Sequence, residues 1–326
     1  TRLAERYRRP LVIYLGLGSN SGDHSGNSVI SYYLNYVSLK RNTAVVVAAG
    51  NEATARHHYY GEVAFGQQSD VVEVNVEDPV EGFHIEMWAK APELYSVQII
   101  SPTGERTAGV RVQQDGREVY RFVFENTQVT IDYRIVGTAT GDQLIYIRFD
   151  QPTRGIWTIE VNGNYSIEGR YHMWLPITGL IAGDIIRSNP DTTITMPGNA
   201  AAPMTAGGYN AGNGSIYLNS SRGYTASGQV KPDFAAPGVN VIGPVPGNRF
   251  EARSGTSIAA AITAGAAALY LEWAVERGYN TDITNAEIKN DFIRGAVRLE
   301  SRVYPNREWG YGTLNLYQTF EQLRRT

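Results

Sequence analysis

Ser257 stands in the run Ser254-Gly255-Thr256-Ser257-Ile258-Ala259-Ala260, where a turn of small residues delivers a hydroxyl to the start of an alanine-rich stretch. The stretch Ala264 to Trp273 predicts a buried helix, with small side chains that permit close packing and a first turn that leaves backbone N–H groups free near the serine. Those groups and the helix dipole stabilise negative charge developing on a substrate oxygen, so the serine is a candidate nucleophile. An ordinary helix N-cap would use the same residue types, because Ser and Thr are favoured there in any protein.

Two further segments bear on that choice. Ala44-Val45-Val46-Val47-Ala48-Ala49 predicts a buried strand that ends in Gly50-Asn51-Glu52. A side-chain amide just past a strand end can donate to an oxyanion, although Gly-Asn is also a common turn. The second segment, Lys231-Pro232-Asp233-Phe234-Ala235-Ala236-Pro237-Gly238, is by itself only a loop broken by proline and glycine.

Taken together and in this order, the segments resemble the subtilisin-like serine proteases of peptidase family S8. Gly50-Asn51 matches the oxyanion asparagine motif, and Gly255-Thr256-Ser257-Ile258-Ala259-Ala260 matches the nucleophile motif. Leu11 to Ser19 is similar to the strand whose end lines the substrate cleft, Ser220 to Gly238 to the segment leading to the serine, and Trp309 to Asn315 to the closing motif. Ala261 stands where the family usually has proline. Within the family, Leu17 to Asn27 most resembles the Csp-type germination proteases of clostridia, which implies a bacterial, secreted or spore-associated protein.

The family's Asp-Ser/Thr-Gly and His-Gly-Thr-His motifs belong upstream of the Leu11 strand, and neither is in this sequence. The histidines are His24, His57, His58, His84 and His172, none followed by glycine. A serine hydroxyl is a poor nucleophile without a base in reach. Three readings follow: a C-terminal piece of a protease that works with an N-terminal segment or propeptide of the same precursor, a pseudoprotease kept as a protein-binding scaffold, or a base supplied by His24, His57 or His58 in a new geometry. The first predicts a sheet with an open edge at the Leu11 strand, able to self-associate or pair with the absent segment.

Composition narrows the partners. Twenty-nine basic and 32 acidic residues leave a net charge of −3, with no basic block or basic-aromatic cluster that argues for nucleic acid. Leu11 to Leu17 is too short to span a bilayer, and the first residues lack the layout of a signal peptide. Without cysteine, disulfides and thiolate metal sites are excluded. No acidic cluster reads as a dedicated metal site and no cofactor is implied; calcium, common in the family, stays open.

The elements that must position these groups are of two kinds. Asn51 and Ser257 are 257 − 51 = 206 positions apart, much more than the family fold needs, so an inserted domain is implied. Alternating runs such as Val71 to Val76, His84 to Trp88, Val97 to Ile100, Val119 to Phe124, Val129 to Ile135, Leu144 to Phe149 and Ile156 to Val161, punctuated by Gly, Pro, Asn and Asp, predict an all-β, jelly-roll-like sandwich. Ser96 to Gly104 and Gly155 to Val161 resemble β-sandwich domains that accompany subtilisin-like and convertase proteases. The expected division is 1–61 and 178–326 for the subtilisin-like α/β domain, lacking its N-terminal strands, and 62–177 for the sandwich. Asn27 to Leu39 predicts a helix with Val29, Ile30, Tyr33, Leu34 and Val37 at helical spacing, making a βαβ unit between the Leu11 and Val45 strands. Gly16 to Ser19 and Ala48 to Asn51 then share one rim.

The expected activity is therefore hydrolysis of protein or peptide substrates through a Ser257 acyl-enzyme, with Asn51 in the oxyanion hole. By resemblance, Leu17, Gly18 and Ser19 line the S1 to S4 side of the cleft, Ala48, Ala49 and Gly50 form an S1 wall, and Gly255 and Thr256 flank the nucleophile. The alternatives are the silent scaffold and carbohydrate or partner binding through the sandwich.

Overall fold

The computed structural model describes residues 2–63, 69–77, 81–108, 115–136 and 141–324. They form two compact units, Thr1–Thr54 with Asp191–Thr326, and Ala55–Pro190.

The first unit opens with α1 (Arg2–Tyr7), β1 (Leu11–Leu15), α2 (Val29–Ser38) and β2 (Thr43–Ala48). β1 and β2 pair in parallel, from Leu11 opposite Thr43 to Leu15 opposite Val47, which makes the expected βαβ unit. β2 is buried at every position, as a parallel strand covered on both faces must be. Ser28 caps α2 by accepting from the Ser31 N–H. The buried stripe of α2 is Ser31, Leu34, Val37 and Ser38, whereas Val29, Ile30 and Tyr33 are exposed together with Tyr32 and Tyr36. Apolar residues occupy more than one face of this helix, so spacing alone does not tell which face meets the sheet.

The second unit is built from β3 (His58–Glu62), β4 (Ser69–Val76), β5 (Gly82–Ala89), β6 (Leu94–Ile100), β7 (Asp115–Phe122), β8 (Thr127–Val136), β9 (Asp142–Asp150), β10 (Gly155–Tyr165), β11 (Arg170–Trp174) and β12 (Gly183–Ile185). Antiparallel pairing gives a four-stranded sheet, β12-β4-β10-β6, and a six-stranded sheet, β3-β11-β5-β9-β8-β7. Side chains from both sheets, Val74, Ile99 and Trp157 from one and Ile85, Ile131 and Ile147 from the other among them, form one buried apolar cluster. The alternating runs of the sequence fall on these strands, except that Val123 and Phe124 lie in the turn after β7. This strand order does not establish the expected jelly-roll wiring: β7, β8 and β9 are a plain meander of sequential neighbours.

The chain then completes the first unit with β13 (Met204–Asn210), β14 (Ser215–Ile216), β15 (Phe234–Pro237), the hairpin β16 (Val241–Val245) and β17 (Arg249–Arg253), α3 (Thr256–Leu271), a π-helical turn Glu272–Glu276, α4 (Asn285–Arg294) and α5 (Leu316–Leu323). β13 lies parallel to β2 on one side and to β15 on the other, and β1 has β2 as its partner at the sheet's edge. Alternate residues of β2 serve two helix layers: Val45 and Val47 cluster with Leu34 and Val37 of α2, and Ala44, Val46 and Ala48 cluster with Ala259, Ala260 and Ala267 of α3. The alanines let α3 approach the sheet closely. With its π-helical continuation α3 is long and apolar enough to cross a membrane, but here it is the core helix of this unit, half buried.

Candidate active site

The turn after β2 is held in a conformation that suits glycine. Gly50 has φ of +106°, and a Cβ there would stand 2.6 Å from the Thr195 side chain and 2.7 Å from Ser221 Oγ. The turn delivers Asn51 to the start of α3, where its Oδ1 accepts from the Thr256 N–H at 3.0 Å and from Thr256 Oγ1 at 3.2 Å. The one Thr256 hydroxyl proton is shared between Asn51 Oδ1 and Gly50 O, which lies 3.1 Å from Oγ1, and Oγ1 accepts from Gly50 N at 3.0 Å. A backbone N–H can only donate, so its partner on Asn51 must be the carbonyl oxygen, and the amide orientation is fixed by chemistry. Nδ2 is left as the donor, and it meets no acceptor among the described residues.

Ser257 is the second residue of α3, and the N-cap is Gly255, which offers no side-chain cap. The N-cap explanation of this serine is therefore replaced by a position in the first turn, where N–H groups lack intrahelical partners. The N–H groups of Ile258 and Ala259 both return to Gly255 O, while the Ser257 N–H and Oγ make no hydrogen bond among the described residues. A Cβ on Gly255 would lie 3.3 Å from Ser257 Oγ and 3.6 Å from Asn51 Nδ2, so hydroxyl and amide both come close to Gly255. Gly255 also has φ of +153°, which side-chain-bearing residues rarely adopt.

The end of β1 meets the same place from the other side. A Cβ on Gly16 would stand 3.2 Å from Ser257 Cβ and 1.9 Å from the Tyr14 hydroxyl. That hydroxyl donates to Ser257 O at 2.9 Å, and partial burial raises the pKa of Tyr14, so it stays a donor at neutral pH. Ser19 forms a two-way bridge with Met196, N to O at 2.9 Å each way, and a Cβ on Gly18 would meet Thr195 Oγ1 at 2.2 Å. Leu17 is exposed, while Ala48 and Ala49 are buried. Ala49 O accepts from Thr195 N at 2.9 Å and from Thr195 Oγ1 at 3.2 Å.

Gly50, Asn51, Gly255, Thr256 and Ser257 are thus gathered by direct contacts, and Leu17 to Ser19 are held through Thr195 and Met196. Tyr14 and Thr195 escaped the sequence reading. A tyrosine in an apolar strand and a threonine in an irregular loop carry no local sign that they touch residues far along the chain. His24 is buried, with Nδ1 2.8 Å from Ile194 O and Nε2 2.9 Å from Asn20 O, so both ring nitrogens face backbone carbonyls. His57, His58, His84 and His172 belong to the second unit.

A buried ionic cluster fixes the segment that leads toward the serine. Asp233, just before β15, accepts from Lys231 Nζ at 2.8 Å, Lys289 Nζ at 2.9 Å and the Thr205 N–H at 2.7 Å. Burial alone would raise the Asp233 pKa, but the two ammonium groups outweigh it and hold the carboxyl below its usual range. Burial pushes Lys231 down to about 7, only partly offset by Asp233. Through Lys289 on α4 and the Thr205 N–H, the cluster ties β13, β15 and α4 together.

A parallel α/β unit with a serine in the first turn of its core helix, facing a strand-end amide, has the layout of a serine hydrolase. Residues 95–312 match the subtilase family of peptidases (S8), and the chain belongs to that family. The solved CspB protease of Clostridium perfringens superposes with a TM-score of 0.91 at 27% identity, covering 100% of this chain and 69% of that one. The serine protease AprX of Bacillus subtilis is 35% identical over 149 residues, 39% of this chain and 32% of AprX. The C5a peptidase of Streptococcus pyogenes is 37% identical over 83 residues, 26% of this chain. This chain spans 7% of the length of the C5a peptidase.

Proposed function

We propose that this chain carries the nucleophile and the oxyanion site of a subtilisin-like serine endopeptidase acting on protein or peptide substrates. Ser257 Oγ attacks the scissile carbonyl carbon as its proton passes to a histidine base. The oxyanion is held by Asn51 Nδ2 and the Ser257 N–H, the amine leaves with the proton, and water then releases the acyl group by the same steps in reverse. The observation that supports this reading is the clamp on Asn51: Thr256 occupies Oδ1 and leaves Nδ2 as the donor, with the amide and the serine hydroxyl both close to Gly255. The substrate lies extended along Leu17, Gly18 and Ser19, with Ala48, Ala49 and Gly50 forming the wall of the S1 pocket.

The histidine and its orienting aspartate come from a polypeptide that pairs with the outer edge of β1. Two observations support this: β1 is an edge strand, and His24 is tied to two backbone carbonyls. The second unit, read as jelly-roll-like, serves as a brace. A fluorophosphonate probe tests the activity, because it modifies only an activated serine; a native protein that leaves Ser257 unmodified would have to be read as a silent scaffold.

A further inference from the structure

The six-stranded sheet of the second unit has one face in the apolar core, and its opposite face is chemically organised. The register sets Glu86, Tyr146, Asp132 and Arg117 in one row across β5, β9, β8 and β7, and Leu144 opposite Arg134 in the row beside it. Between β7, β8 and β9 lies a cavity of about 470 Å³, within the size range of small-ligand sites.

Its polar arms are mostly preset. Arg117 grips Asp132 with two hydrogen bonds, of 2.6 and 3.1 Å, and Arg148 grips Asp150 with bonds of 2.8 and 2.6 Å. Arg134, also in the lining, is exposed and makes no ion pair among the described residues, although Asp115 stands opposite it in register. The lining holds three arginines and two aspartates, and Glu86 and Asp115 stand in the same rows of the sheet outside the lining. The Tyr146 ring lines the cavity and is backed by His84, stacked at 5.0 Å and 18°. Burial lowers the His84 pKa, so the pair is an uncharged aromatic wall at neutral pH.

We infer that this cavity binds an acidic oligosaccharide, with Arg134 taking a carboxylate of the sugar and the Tyr146 ring stacking on a sugar face. The arginine–aspartate forks present donors and acceptors side by side, which suits neighbouring hydroxyls, and the Arg134 guanidinium, in no ion pair among the described residues, matches a planar carboxylate. The site lies on the face of the sheet, where backbone groups are already engaged in the ladder, so recognition falls to side chains. An extended peptide would instead seek backbone groups at an edge. The inference is independent of the protease reading.

Calorimetric titration of the 326-residue chain with tetragalacturonate, maltotetraose and tetraglutamate tests it. Tetragalacturonate is expected to bind saturably, with the neutral sugar and the peptide weaker by about tenfold or more. R134Q, at an exposed position, should keep the unfolding temperature and weaken tetragalacturonate about tenfold. Y146A should remove the remaining binding. No saturable binding of tetragalacturonate, equal affinity for maltotetraose, or an R134Q variant that binds like the wild type would overturn the proposal. Tetraglutamate binding as tightly as tetragalacturonate would also overturn it, making the cavity a site for acidic peptides.

Discussion

At the scale of single residues, the site is a matter of which atoms are already engaged. Thr256 uses both its N–H and its hydroxyl on Asn51 and Gly50, and the effect is to leave Nδ2 as the donor end of the Asn51 amide. In the active protease, Asn51→Ala should lower kcat by about two to three orders of magnitude with little change in KM, as expected for a contact made mainly in the transition state. Steady-state kinetics on a peptide substrate checks this, and an unchanged kcat would remove Asn51 from the site. The residue types were legible in the sequence, because Gly-Asn after an apolar strand and Gly-Thr-Ser before an alanine-rich helix are local patterns. The clamp between them was not, since a hydrogen bond spanning 205 positions leaves no trace in either segment. The same holds for the Tyr14 hydroxyl on Ser257 O, 243 positions away.

At the scale of elements, β2 must be held firmly for Asn51 to be placed. Asn285 at the start of α4 accepts from the Val45 N–H at 2.8 Å and donates to Ala202 O at 2.8 Å, and it is buried. Asn285→Ala leaves both backbone groups without a partner and should cost about 1–3 kcal/mol in a denaturant titration. Asp233 joins α4 to β13 and β15 through Lys289 and Thr205. Asp233→Asn leaves Lys231 buried beside a neutral amide and should destabilise the fold at pH 6 by about 3–5 kcal/mol. The sign with pH follows from the depressed folded pKa. The ionised carboxylate stabilises the fold above its unfolded value of 3.8, and that contribution is lost as pH falls through the lower folded value. The gap between wild type and variant should therefore close on acidification below 3.8; a gap that holds constant there would assign the stabilisation to something other than the charge. Sequence pattern located β1, α2, β2 and α3, yet it misjudged the face of α2, because Tyr32, Tyr33 and Tyr36 extend the apolar surface beyond the stripe that packs.

At the scale of the whole molecule, the described residues form two units with separate cores. The long separation of Asn51 and Ser257 announced an insertion, and strand alternation marked it as all-β. The wiring of its two sheets stayed out of reach because pairing partners far apart in sequence are chosen by the shared core, not by local pattern. If this unit is a brace, its excision between about Glu62 and Ile177 should lower the unfolding temperature more than the turnover of a short peptide substrate. Unchanged thermal resistance with lost substrate binding would make it a recognition module instead.

The central claim is that Ser257 is an acyl-forming nucleophile whose base is supplied from outside this chain. Fluorophosphonate labelling, read by intact mass and peptide mapping, tests it on the native protein from its source and on the 326-residue chain by itself. The account predicts modification at Ser257 in the native protein and none in the chain alone. Labelling of Ser257 in the chain alone would contradict it and point to His24, His57 or His58 as the base, and a native protein that is never labelled would contradict the protease reading itself.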